Sequence, residues 1–265
     1  MRISALVAGI FGFFLSGCAN VQTSPSPETR QALAPTGKLR VGFLSGTIYA
    51  TKDPATGEVK GVAADLGGEL ARRLGVPFEP VLYPNPPAIL AAAKSGALDV
   101  ALMGINAERA AVLDFSAPYM EVEQTYLVHA GANIVTPSDI DKPGIRVGVL
   151  EKSGADVLLS GALKNATLVR VRAAPELFTA LDSGKADAIA ATTATLAGAA
   201  EKRPGSRLLE GRILAEPIGM GTPKGRDRAA AVYVNNFVEQ LKAEGFVKSA
   251  IARAGLRGVV VAPRN

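Results

Sequence analysis

The chain has 265 residues, with one histidine and one cysteine among them, and those two side chains narrow the chemistry it can do. A Ser-His-Asp relay would have to be built on His129, the sole imidazole. No Gly-x-Ser-x-Gly elbow and no zinc-ligand spacing accompanies that histidine, so neither nucleophilic hydrolysis nor a metal centre is expected. Cys18 has no partner for a disulfide within the chain. The phosphate-cradling glycine patterns are absent, and Gly219-Met220-Gly221 is only a fragment of one. This inventory suits binding better than turnover, and no cofactor is expected.

Cys18 closes a segment of its own. After Met1-Arg2, residues Ile3 to Leu15 carry no charge, the length of a secretory core and too short to span a bilayer. Leu15-Ser16-Gly17-Cys18 resembles the bacterial lipobox. That resemblance implies that residues 1–17 are a leader, that Cys18 is lipidated, and that the protein is held to a membrane in the periplasm. Residues 18–37, with Thr23-Ser24-Pro25-Ser26-Pro27, read as a flexible tether. The whole chain is 48% hydrophobic and 20% charged, ordinary globular values. Its basic residues are scattered, there is no tryptophan, and nucleic acid is not an expected partner.

The elements alternate. Leu39, Val41 and Phe43 mark a strand; Val62, Leu66, Leu70 and Leu74 stripe a helix that Gly75 can end. Phe78 to Leu82 and Leu98 to Met103 are further strands, with an alanine-rich helix from Pro87 to Lys94 between them. The second half repeats this grammar: Ile145-Arg146-Val147-Gly148 echoes Leu39-Arg40-Val41-Gly42, and Ser183-Gly184-Lys185-Ala186-Asp187 echoes Ser95-Gly96-Ala97-Leu98-Asp99. Between the second pair lie a helix near 154–163, a strand at 167–171 and a helix opened by Pro175. Two β-α-β-α-β units predict an α/β protein of two lobes with a cleft between them. Ligands of open parallel sheets sit beyond the carboxyl ends of the strands, which points to Leu44–Thr47, Met103–Arg109, Glu151–Ala155 and Ala191–Thr193. Two helices, the second from Phe246 to Ala254, are expected in the tail.

One block is more specific. Met103-Gly104-Ile105-Asn106-Ala107-Glu108-Arg109, followed by Leu113-Asp114-Phe115-Ser116-Ala117-Pro118-Tyr119, resembles the signature of the amino-acid-type periplasmic solute-binding proteins of ABC transporters, family 3. Supporting matches run in order through Gly61–Leu66, Val147–Val149 with Ser153, and Gly184–Ala188. The resemblance implies a type II periplasmic-binding-protein fold, two parallel-rich sheets joined by two hinge strands. Lobe one would span 38–122 plus 218–265, and lobe two 123–217. It also implies a small-molecule ligand, an ABC permease as partner, and a monomer. Arg109 takes the place of the arginine that clamps a ligand carboxylate, a bidentate pairing that suits a planar guanidinium. Ser153 matches a hydroxyl at a helix N-terminus, where anions are favoured and where a plain cap is equally at home.

Departures from the family pattern shape the expected ligand. Thr192 stands where relatives place an aspartate for the ligand ammonium; Val62 and Thr47 stand where aromatic side chains pack on the ligand. Gly104 and Gly154, beside Met103 and Ser153, replace hydroxyl residues that touch the carboxylate. An arginine kept and an acid lost predict an anionic ligand with no obligatory ammonium. The alternatives are a dehydratase of the same fold, acting on prephenate-like acids with Glu151 and Lys152 as its best acid-base pair, or a ligand sensor.

Overall fold

The computed structural model describes residues 25–47 and 49–264; the leader, Cys18 and the first part of the tether fall outside the described residues. The strands are β1 (Leu39–Leu44), β2 (Phe78–Tyr83), β3 (Val100–Gly104), β4 (Met120–Val128), β5 (Arg146–Leu150), β6 (Thr167–Val171), β7 (Ala188–Thr192) and β8 (Leu214–Pro223), with shorter pieces at their edges. The longer helices are α1 (Pro27–Leu33), α2 (Val62–Leu74), α3 (Pro86–Lys94), α4 (Gly154–Ala162), α5 (Ala174–Asp182), α6 (Thr193–Ala200), α7 (Arg228–Ala243) and α8 (Phe246–Ala254).

The expected repeat is present in three dimensions. β1 pairs in parallel with β2 and β3, and β5 pairs in parallel with β6 and β7. The two parallel sets are joined through two long strands, as expected. They are continuous in the order β2-β1-β3-β8-β4-β7-β5-β6, because the long strands β4 and β8 pair antiparallel with each other and with a neighbour on either side. Apolar core clusters nevertheless divide at those strands, around Val41, Leu70 and Met220 on one side and around Val149, Leu159 and Ala188 on the other. The crossing point is the register Leu214↔Gln124 to Ile218↔Met120.

Local rules account for the element ends. α2 stops at Gly75, whose φ of 67° is left-handed and whose N–H closes the last turn onto Ala71 and Arg72. The expectation of a structureless tether up to residue 37 fails over its second half. Ser26 caps α1 by accepting from Thr29 N–H, Pro27 occupies the first turn, and Leu33 is fully buried in the lobe-one core. Arg226 Nη1 then donates to Ala32 O at 2.6 Å and fastens the helix in place.

The echoed sequences make the same bond in each lobe. Arg40 Nη2 meets Asp99 Oδ1 at 2.7 Å while its backbone N–H and Nε both donate to Oδ2 at 2.9 Å. Arg146 repeats this on Asp187 at 2.7, 2.8 and 3.1 Å. Each aspartate thereby ties the strand it precedes, β3 or β7, to the start of the neighbouring strand.

On the face of α2, Glu69 accepts from Arg72 at 2.7 Å and from Arg73 at 2.8 Å, and Arg73 continues to Glu244 of the segment after α7. The Arg72 hydrogen bond, assisted by Arg73, outweighs burial and holds the Glu69 carboxyl down at about 2. A depressed folded value stabilises the protein above the ordinary carboxyl range near 4.5 and loses that stabilisation as pH falls toward 2. Glu69→Gln should therefore flatten the acid limb of stability below pH 4.5 in circular dichroism titrations, with an effect of about 1 kcal/mol or less at neutral pH.

Candidate functional site

The loops at the carboxyl ends of β1, β3, β5 and β7 converge on one cavity. Its walls are mainly apolar, with Leu44, Ile89, Met103, Leu150, Leu177 and Phe178 among them. Phe178 comes from α5 of lobe two and Ile89 from α3 of lobe one, so both lobes contribute. Asn85 Nδ2 donates to Arg172 O at 2.9 Å across the opening, and Lys152 Nζ lies 3.4 Å from Glu108 Oε2. These bonds hold the lobes together.

Arg109 stands at the floor. Asn106 caps the short helix Ala107–Ala110 by accepting from Arg109 N–H at 2.9 Å, which aims the arginine inward; the residue is only 4% exposed. Nη1 donates to Gly104 O at 2.8 Å and to Glu216 Oε1 at 3.0 Å. Nη2 donates across the cleft to Lys152 O at 3.0 Å. That carbonyl is presented by a tight turn in which Lys152 has a φ of 57°, an uncommon left-handed conformation for a residue with a side chain. Lys152 N–H donates to Asp156 Oδ2 at 2.8 Å and so helps hold the turn.

Glu216 is the residue that sequence reasoning missed. It lies in the crossing segment of β8, and its second oxygen, Oε2, accepts from Gln124 Nε2 at 2.7 Å. Arg109 is the residue expected to clamp a ligand anion, and in this structure its guanidinium holds a carboxylate from its own chain. Glu216 and Arg109 are the charged side chains in the cavity lining, and they face each other. A signal for Glu216 existed in the sequence. It is a lone acid within the otherwise uncharged run from Ile213 to Pro223.

Most of the other predicted site residues do come together. Met103, Gly104, Ser153, Gly154, Thr192 and Thr47 all line the cavity with Arg109. Val62 does not, contrary to expectation. It opens α2 and is fully buried in the lobe-one core. The chain turns at Gly61, where a Cβ would sit 2.5 Å from Tyr49 O, and Tyr49 supplies the cavity wall instead. Burial, reinforced by the negative charge of Glu216, pushes the Tyr49 hydroxyl well above its ordinary range and keeps it protonated.

The hydroxyls are engaged locally. Ser153 caps α4 by accepting from Asp156 N–H at 3.2 Å, and Thr192 caps α6 by accepting from Thr195 N–H at 3.3 Å. Thr47 Oγ1 donates to Leu44 O at 3.0 Å. Glu151 and Lys152, the acid-base candidates, lie at the outer mouth beside Pro86 and Leu90. His129 follows the end of β4 and is not a wall residue of the cavity. Among the described residues, no group of three or more His, Cys, Asp or Glu is placed to hold a metal ion, and no helix is long and apolar enough to cross a membrane.

The model of the bacterial extracellular solute-binding proteins, family 3, matches residues 39–253. The glutamine-binding protein GlnH of an ABC transporter in Bacillus subtilis is 27% identical over 226 residues, covering 82% of this chain and 81% of that protein. A probable histidine-binding protein of Neisseria gonorrhoeae is 25% identical over 198 residues, 71% of this chain and 72% of the other. Among solved structures, a mutant of ArgBP from T. maritima aligns with a TM-score of 0.75 at 26% identity, covering 86% of this chain and 99% of that one. The ancestral amino-acid-binding protein AncCDT-1, a precursor of cyclohexadienyl dehydratase, aligns with a TM-score of 0.74 at 28% identity over 85% and 98% of the two chains.

Proposed function

Since the chain belongs to the bacterial extracellular solute-binding proteins of family 3, we propose that it is the receptor of an ABC importer and closes its two lobes on a small amino-acid-like solute. The observation that carries this reading is the cavity where both lobes meet, walled by Phe178 and Leu177 from one and by Ile89 and Met103 from the other. Enclosure between lobes excludes water, and hinge closure couples occupancy to the outer shape that a permease reads. The relatives named above are binding proteins by description, AncCDT-1 included, which supports a receptor over an enzyme. Arg109 organises the floor of the site, and in the closed state its anionic partner is Glu216.

Two experiments test the reading. Calorimetric titration of the purified protein with the standard L-amino acids and their amides should give saturable binding for at least one solute. Ala191→Trp, which fills the cavity from β7, should abolish that binding; retained affinity would place the solute elsewhere. The anchor is tested separately. Cells fed an alkyne-tagged fatty acid should label the wild-type chain, and Cys18→Ser should remove the label and release the protein from the membrane. Labelling that survives Cys18→Ser would contradict the lipobox reading.

A further inference from the structure

We propose that Glu216 is a resident carboxylate filling the anion seat of Arg109, so that the cleft selects solutes that offer an N–H donor and an apolar body but no carboxylate. This deepens the receptor reading above and rests on it. The first observation is how the donors are spent. Arg109 gives Nη1 to Glu216 Oε1 and Gly104 O, and Nη2 to Lys152 O, while Gln124 holds the other Glu216 oxygen. The side chains of the pair are 5% and 9% exposed, so the seat is buried and taken.

The second observation is the pair of glycines around the carboxylate. A Cβ at Gly104 would overlap Glu216 Oε1, and a Cβ at Gly154 would lie 2.7 Å from the same atom. Neither glycine has a positive φ, so the backbone does not demand glycine at either place. What both positions require is space, and the group that fills the space is Glu216. Two separate elements, β3 and the first turn of α4, are thus shaped to one internal carboxylate.

The consequence for a solute follows from charge. A carboxylate sent to Arg109 would share one buried guanidinium with Glu216, leaving one negative charge uncompensated where burial makes that costly. An uncharged amide or an amine meets the opposite situation. Each Glu216 oxygen retains acceptor capacity for a further N–H, and the neutral hydroxyls of Thr47, Ser153 and Thr192 stand nearby. The apolar walls then receive the body of the solute. Amino-acid amides have this chemistry, and the parent acids do not.

Matched pairs decide the point, using the full mature chain and calorimetry with each L-amino acid and its primary amide. In the wild type at least one amide should bind about tenfold or more tightly than its acid. Glu216→Ala should invert that preference by vacating the seat. Because Glu216→Ala strands a buried arginine, acetate provides a second measurement. It should raise the melting temperature of this variant by about 2–4 °C and leave the wild type unchanged. Should Glu216→Ala fail to fold, the wild-type pairs alone decide. Acids that bind the wild type as well as or better than their amides would overturn the proposal while leaving the receptor reading intact, and so would equal acetate stabilisation of both proteins. If neither series binds the wild type, the amino-acid-like receptor reading fails and this proposal falls with it.

Discussion

Arg109→Ala should destabilise the protein by about 3–5 kcal/mol in urea unfolding, because it leaves the Glu216 carboxylate buried with Gln124 as its remaining side-chain donor. The loss has three parts that can be separated. One is the ion pair itself, at 3.0 Å with both side chains under one-tenth exposed. Another is the cross-lobe bond to Lys152 O, which contributes to closure more than to the stability of either lobe. The third is the bond to Gly104 O within lobe one. A double-mutant cycle isolates the first: Arg109→Ala with Glu216→Ala should cost less than the sum of the singles by about 1.5 kcal/mol or more. Additive singles would mean that the two side chains do not meet in solution.

The second large effect concerns the aspartates of the repeat. Asp99 is fully buried and accepts from Arg40 and, at 2.7 Å, from Arg226 Nη2. Arg226 also holds α1 through Ala32 O, so one carboxylate ties the start of β1, the end of the tether and the loop before α7. Asp99→Ala should cost about 3–5 kcal/mol and loosen α1, as it leaves two arginines without their partner. Its counterpart Asp187 has the same bonds from Arg146 but is partly solvated, with the arginine side chain 43% exposed and its own 25%. The Arg146 bonds outweigh burial there and lower the Asp187 carboxyl below its ordinary range. Asp187→Ala should therefore cost about 1 kcal/mol, since water can solvate what is left. Equal penalties in the two lobes would contradict this ranking by burial.

Much of this architecture was readable from spacing. The β-α-β-α-β echo, the Gly75 stop and the tail helix from Phe246 to Ala254 follow from local rules, and the structure has them at those places. The convergence of Thr47, Gly104, Ser153 and Thr192 follows from topology, since each lies at or just past a strand end. What pattern could not supply was pairing between distant segments. β4 carries Glu121, Glu123 and Gln124 and β8 carries Glu216 and Pro217, and nothing in that composition announces that they join the two sheets antiparallel. α1 was hidden because a Ser-Pro-rich run reads as linker, although Leu33 and the grip of Arg226 on Ala32 make it part of lobe one. Val62 was misplaced because its neighbour across the turn, Tyr49, takes the wall. Gly104 and Gly154 were visible as departures from the family pattern, yet their meaning depends on Glu216, more than sixty residues from either in sequence.

The chain contains no tryptophan, so Phe178→Trp puts a sole indole into the wall of the cleft. Titrating this variant with the solute that calorimetry finds for the wild type should shift the emission saturably, with the calorimetric affinity. An emission spectrum that stays fixed while the same solute binds would show that the space between the lobes is not where the solute goes.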